Sequence, residues 1–430
     1  MTNRYFIIGA TGAAIVLSML FFLVLFEPGL LYEIPQSMPS VESPDFLALL
    51  PVVMDAPARS LSDYKVLTDG DVFYQAELET IRQARSTIHL EAFIFHDSAI
   101  GERFIAALAE RAAAGVKVRV IVDAFGSMLT PDLFFERLRK AGGEVVWYQP
   151  LRWYTLKRYN NRTHRELLIV DGNAGFIGGA GIGSAWDKGE NGERPWRDTM
   201  VHVTGPIVTG LQTGFVQNWL ESSGAVLADT SLFPHFKAYK SPTADEDAPG
   251  MVIASTPTAA RGTRCRMLFQ MLIAGARNGI LINSPYFVPD RAMRRELMDA
   301  VKRGVKVTVV VPGEHNNHPA TRLASRRRYG ELLAHGIQIY EYVPGMIHAK
   351  IMIIDNLWSV VGSTNFDNRS FGLNDEINLV VRNEGFAARL STDFERDRGQ
   401  SRNVTLDEWL HRSYVERALA MIGSLFERQE

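Results

Sequence analysis

The chain of 430 residues contains one cysteine, Cys265. That excludes an internal disulfide framework and a cysteine-built zinc site, and leaves a free thiol. Charge of one sign is also missing: 46 Lys and Arg stand against 48 Asp and Glu, a net charge of −2. No basic field favours nucleic acid as a partner. His315 and His318 have the spacing of a metal pair, but no third ligand lies near, so they read as a polar loop and no metal is expected. With 46% hydrophobic and 22% charged residues, the chain is ordinary globular material, long enough to bury two cores.

One long apolar run is present. Tyr5 to Phe26 carries no charge and would extend about 33 Å as a helix, enough for a bilayer core. It predicts a transmembrane anchor over 1–26. Arg4 precedes it and Glu27, Glu33, Glu42 and Asp45 follow, so the positive-inside bias predicts a cell-membrane protein with its body on the extracytoplasmic side. Six prolines between Pro28 and Pro57 predict a tether over 27–60, in which Phe46 to Leu50 forms a short helix against lipid or against the first domain.

Beyond the tether the chain repeats itself. Ala113-Ala114-Gly115-Val116-Lys117-Val118 is echoed by Lys302-Arg303-Gly304-Val305-Lys306-Val307, each a helix end, a glycine and a β-rich run. Further on, His164-Arg165-Glu166 with Asp171 is echoed by His348-Ala349-Lys350 with Asp355, and Gly178 and Gly362 keep the same register. Matching order and spacing indicate two copies of one α/β fold. The expected boundaries are 61–240 and 261–430, with a polar, proline-rich linker over 241–260 and a C-terminal amphipathic helix from Leu406 to Phe426.

Leu167 to Val170 and Ile351 to Ile354 read as buried strands entered by the histidines. Residues i and i+2 share a strand face, so His348 projects with Lys350 and His164 with Glu166. Two imidazoles meeting across a duplication suit phosphodiester chemistry: one attacks phosphorus, the other protonates the departing oxygen. Lysine and asparagine donors then meet charge on the non-bridging oxygens, a role for Lys350 and Asn365. Glu376 is expected to hold the ring of His348, and Asp198 that of His164. No cofactor is required.

These motifs resemble the phospholipase D superfamily and, within it, the bacterial cardiolipin synthases. The resemblance is carried by His348-Ala349-Lys350, Asp355, Gly362-Ser363-Thr364-Asn365, Asn374 and Glu376, by Ser284-Pro285-Tyr286, and by Thr163-His164-Arg165 with Trp196-Arg197-Asp198. It implies two packed α/β/α halves sharing one active site, and transfer of a phosphatidyl group from one phosphatidylglycerol to another through a phosphohistidine. Symmetry does not choose the nucleophile, although the resemblance favours His164, with His348 as acid and base. Asp171 and Asp355 complete the motifs, and Ser363, Tyr286 and Arg326 are the expected contacts to an anionic phospholipid.

Two positions depart from the pattern. Glu166 stands where the first motif has its lysine, and Gly181 where the second copy has Asn365. An anion in place of a cation beside a phosphate turns attraction into repulsion. Impaired activity, or compensation by Lys157, Arg162 or Arg165, is the expectation. A phospholipase that passes the phosphatidyl group to water, and a catalytically degenerate lipid-binding protein, are the alternatives. Oligomeric state has no signature in the sequence.

Overall fold

The computed structural model describes residues 34–35, 37–151, 160–190, 192–228, 232, 249–257 and 263–413, with a few positions between 9 and 19. The duplication is visible as two mixed sheets of the same strand order. In the first, the order is Asp63–Thr68, Thr199–Thr204, Ala174–Gly178, Leu167–Val170, Thr87–Ala92, Lys117–Asp123 and Glu144–Tyr148. The second runs Pro249–Ser255, Glu376–Arg382, Trp358–Gly362, Ile351–Ile354, Gly279–Asn283, Lys306–Pro312 and Gln338–Tyr342, with Arg59–Ser60 and Ser401–Val404 added at its edges. In each sheet the last three of the seven shared strands are parallel and the motif strand is antiparallel to its neighbours.

Strand alternation divides the cores. In the first motif strand Leu168 and Val170 enter the cluster under the helices Gly70–Gln83 and Ala99–Ala113. Leu167 and Ile169 face the opposite way, into a cluster that also takes Ile351 and Ile353 of the second sheet. That shared cluster is closed by Phe215 and Trp219 of Val208–Ser223 and by Phe386 and Leu390 of Glu384–Gly399. The halves therefore bury one apolar face between them, and the motif strands are buried on both sides, which explains their unbroken apolar sequences.

Several expectations are corrected. Among the described residues no helix is long and apolar enough to cross a membrane. The longest, such as Val208–Ser223 and Glu384–Gly399, have 16 residues, short of the roughly 20 a span needs, and they pack on sheets. The expected transmembrane anchor is not borne out, nor is the anchored, extracytoplasmic placement derived from it. Most of Tyr5 to Phe26 lies outside the described residues. The proline-rich segment contains the helix Pro44–Met54, N-capped by Ser43, whose Phe46, Leu50 and Met54 are buried in the second half's core, not against the first half. Phe46 meets Trp358 edge-on at 5.8 Å, and the Trp358 indole donates to Val41 O at 2.8 Å. Within the expected linker, Pro249–Ser255 is a strand because Glu376–Arg382 has a free edge to pair. The helix expected from Leu406 to Phe426 ends at Leu410 with His411 as its C-cap, and residues 414–426 lie outside the described residues; Trp409 rests against Gly330 while Leu410 is half exposed.

Candidate active site between the two halves

The residues just before each motif strand reach across to the other half. His164 N donates to Asp375 O at 2.9 Å, and Asp375 N donates to Arg162 O at 2.8 Å. The second motif repeats this: His348 N donates to Arg197 O at 2.7 Å, and Arg197 N to Met346 O at 2.8 Å. Each bridge seats a histidine beside the residue preceding an acid of the opposite half. Glu376 Oε1 consequently lies 3.1 Å from His164 Nδ1, and Asp198 Oδ2 2.9 Å from His348 Nδ1. The sequence-based expectation paired each acid with the histidine of its own copy. The pairing is crossed, because the strand ends that carry them pair between halves.

Each acid is itself held. Ser363 Oγ and Asn374 Nδ2 donate to Glu376, while the Trp186 indole and Thr199 N donate to Asp198 at 3.0 and 2.8 Å. Such outer contacts fix the ring orientation and leave Nε2 of His164 for a substrate, while Nε2 of His348 lies 3.3 Å from Lys350 Nζ. Phe93 stands edge-on to His164 at 5.3 Å, and Trp186 and Trp196 flank His348 at 5.3 and 5.2 Å.

Lys350 does share the pocket face with His348. Its Nζ is 2.7 Å from His348 Nδ1 and donates to His348 O at 2.9 Å and Gly179 O at 3.1 Å. A Cβ at position 179 would stand 2.8 Å from that Nζ, so glycine there gives the ammonium its place. Burial, and next Lys350, push His348 down to about 4 against the pull of Asp198. For Asp198 burial acts upward, but Lys350 and His348 outweigh it and hold the carboxyl below its ordinary range. Burial lowers Lys350 itself.

Other expected site residues are placed differently. Asn365 is buried near Ser370, whose Oγ accepts from its backbone N–H at 3.1 Å. Tyr286 stands edge-on to His348 at 6.3 Å, with its hydroxyl donating to Asn317. Ser363 is committed to Glu376, and Arg326 pairs with Glu341, which also binds Arg402. Asp171 and Asp355 are not in the pocket. Four strand residues separate each from its histidine side, and their carboxylates cap turns at the far end: Asp171 accepts from the backbone of Arg85, Ser86 and Thr87, and Asp355 from that of Arg277, Asn278 and Gly279. Asp355→Ala should lower stability by about 1 to 2 kcal/mol, as lost caps do. Thermal melting checks it, with turnover per folded molecule retained.

Glu166 turns toward backbone instead of toward the histidines. Its Oε1 accepts from Phe93 N at 3.2 Å and Ile94 N at 3.4 Å. Among the expected compensating cations, Arg162 reaches Gln149 O and Asp123, and Arg165 reaches Gly214 O, while Lys157 lies outside the described residues. Trp186 and Gly179 are functional positions that sequence reasoning misses: Trp186 belongs to no motif, and Gly179 stands where the second copy has Ser363.

A family model described as "Cardiolipin synthase, PLD-like domain" matches residues 78–193 and 269–398, once in each half. The chain belongs to this family of the phospholipase D superfamily. The cardiolipin synthase family members it resembles include cardiolipin synthase A of Pseudomonas aeruginosa, 34% identical over 82% of this chain and 70% of that protein. The probable cardiolipin synthase YwiE of Bacillus subtilis is 33% identical over 85% and 72%. Among solved structures, a phosphatidylserine synthase of Haemophilus influenzae superposes with a TM-score of 0.68 at 15% identity, covering 88% of this chain and 96% of that one. That likeness concerns the fold. The two matches of the family model fall one in each half, in keeping with the duplicated fold.

Proposed function

We propose that the chain is a phosphatidyltransferase of the cardiolipin synthase type, acting on phosphatidylglycerol through a phosphohistidine. The observation that carries this reading is the pair of crossed histidine–acid contacts, His164 with Glu376 and His348 with Asp198, gathered at one interface with Lys350. In the first step His164 Nε2 bonds to phosphorus as the bond to the glycerol oxygen breaks. That oxygen takes a proton from His348. In the second step the hydroxyl of another phosphatidylglycerol gives its proton to His348 and bonds to phosphorus, and the bond to His164 breaks.

The anionic phosphodiester offsets Lys350 and favours the imidazolium at His348, which burial otherwise disfavours. Lys350 meets the charge on the non-bridging oxygens. Glu376 stabilises His164 as it becomes positive. A second reading, a degenerate lipid-binding protein, is favoured by Glu166 at the lysine position. Incubating the chain with radiolabelled phosphatidylglycerol separates the readings. Labelled cardiolipin with free glycerol supports transfer, phosphatidic acid supports hydrolysis, and no product supports binding alone.

A further inference from the structure

The substitutions at positions 166 and 181 fit each other. A Cβ at Gly181 would stand 2.8 Å from Ile94 Cβ, 2.9 Å from Ile94 O and 3.2 Å from Glu166 Oε1. The room an asparagine would need is therefore taken by Ile94 and by the Glu166 carboxyl. Tyr74 completes the fit, its hydroxyl donating to Gly181 O at 2.5 Å. Glu166 is 5% exposed and, among the described residues, enters no ion pair. It lines a cavity of about 20 Å³ together with Glu77 and Glu91, room for about one water. A carboxyl buried here with two backbone N–H donors and no ion pair is more stable neutral than charged.

We propose that Glu166 is a neutral positioning residue, matched to Gly181, that holds the Phe93-Ile94 turn beside His164 and leaves phosphate charge to Lys350. This inference rests on the phosphatidyltransfer reading for its catalytic consequence only. The titratable groups around Glu166 are Lys350 and Asp198 from the interface and Tyr74 from Gly70–Gln83, with Glu77 of that helix on the same cavity wall. Burial dominates among them and pushes the Glu166 carboxyl well up, as it pushes Glu77 to about 8. A lysine here would aim an ammonium at the Phe93 and Ile94 N–H groups, which need an acceptor. Restoring the family's lysine should therefore damage the site.

The test compares the native chain with Glu166→Gln, Glu166→Ala and Glu166→Lys. Glu166→Ala and Glu166→Lys should each lose about tenfold in turnover, as buried donors left unpaired would cause. Glu166→Gln, which keeps the acceptor oxygen, should recover it and extend activity to higher pH. A carboxyl raised on folding contributes stability that is lost as pH rises through its folded value, so the native chain should melt progressively below Glu166→Gln on going alkaline. Infrared difference spectra of these two forms at pH 7 should show a carboxylic-acid C=O band in the native chain. A carboxylate band instead, or higher turnover in Glu166→Lys, would overturn the proposal. If no form makes lipid product, the transfer reading fails, and the infrared and melting results still decide Glu166.

Discussion

Glu376→Gln is expected to slow phosphatidyl transfer by about 10³- to 10⁴-fold, the scale on which an amide fails to replace the carboxylate behind a catalytic imidazole. Glu376 is fully buried and spans 212 positions of sequence to reach His164 Nδ1. Glutamine has the same shape, and Ser363 and Asn374 remain to hold it, so packing is preserved. On the proposed mechanism, what is lost is the negative charge that stabilises His164 as it bonds to phosphorus. Substrate binding draws little on that charge, so the loss should fall on kcat with KM nearly unchanged. Steady-state turnover of phosphatidylglycerol in mixed micelles, with circular dichroism to verify folding, measures it.

Lys350→Met should cost about 10² to 10³ in turnover, the usual effect of removing one donor to transition-state charge. Glu166 does not substitute for it, since the carboxyl binds the Phe93 and Ile94 backbone. A second effect has a definite sign. His348 falls from 6.5 to about 4 in the folded chain through burial first and Lys350 second. A lowered value of this kind contributes stability that is present above pH 6.5 and lost as pH falls toward 4. Without the ammonium the His348 value rises, so the limb of the pH–rate profile that follows His348 protonation should move to higher pH. Stability should also fall off less steeply between those values. Turnover profiles and melting across that range check both effects.

The duplicated fold was legible because strand periodicity and the common offsets around His164 and His348 survive in both copies, and each buried strand shows as an unbroken apolar run. The histidines and Lys350 were legible for the same local reason, that i and i+2 share a face. The crossed acids were not, since Asp198 and His348 stand 150 positions apart and meet only through backbone bridges formed on packing. Asp171 and Asp355 showed the opposite failure. Motif membership suggested chemistry, whereas their left-handed backbone and triple N–H contacts make them turn caps. The short helix expected over Phe46 to Leu50 is present and extends over Pro44–Met54. Pro44 opens a capped helix, where its missing N–H costs nothing. The substitution at Glu166 was seen, but the space made for it by Gly181 depends on Ile94, whose approach no local spacing encodes.

The composite character of the site is tested most directly by the imidazole nitrogens themselves. Nitrogen-detected NMR titration of His164 and His348 in the native chain, in Asp198→Asn and in Glu376→Gln reports which acid holds which ring. Asp198→Asn should shift Nδ1 of His348 and leave His164 largely as it was, and Glu376→Gln should do the reverse. Asp198→Asn acting on His164, with His348 unmoved, would contradict a site in which each half orients the other half's histidine.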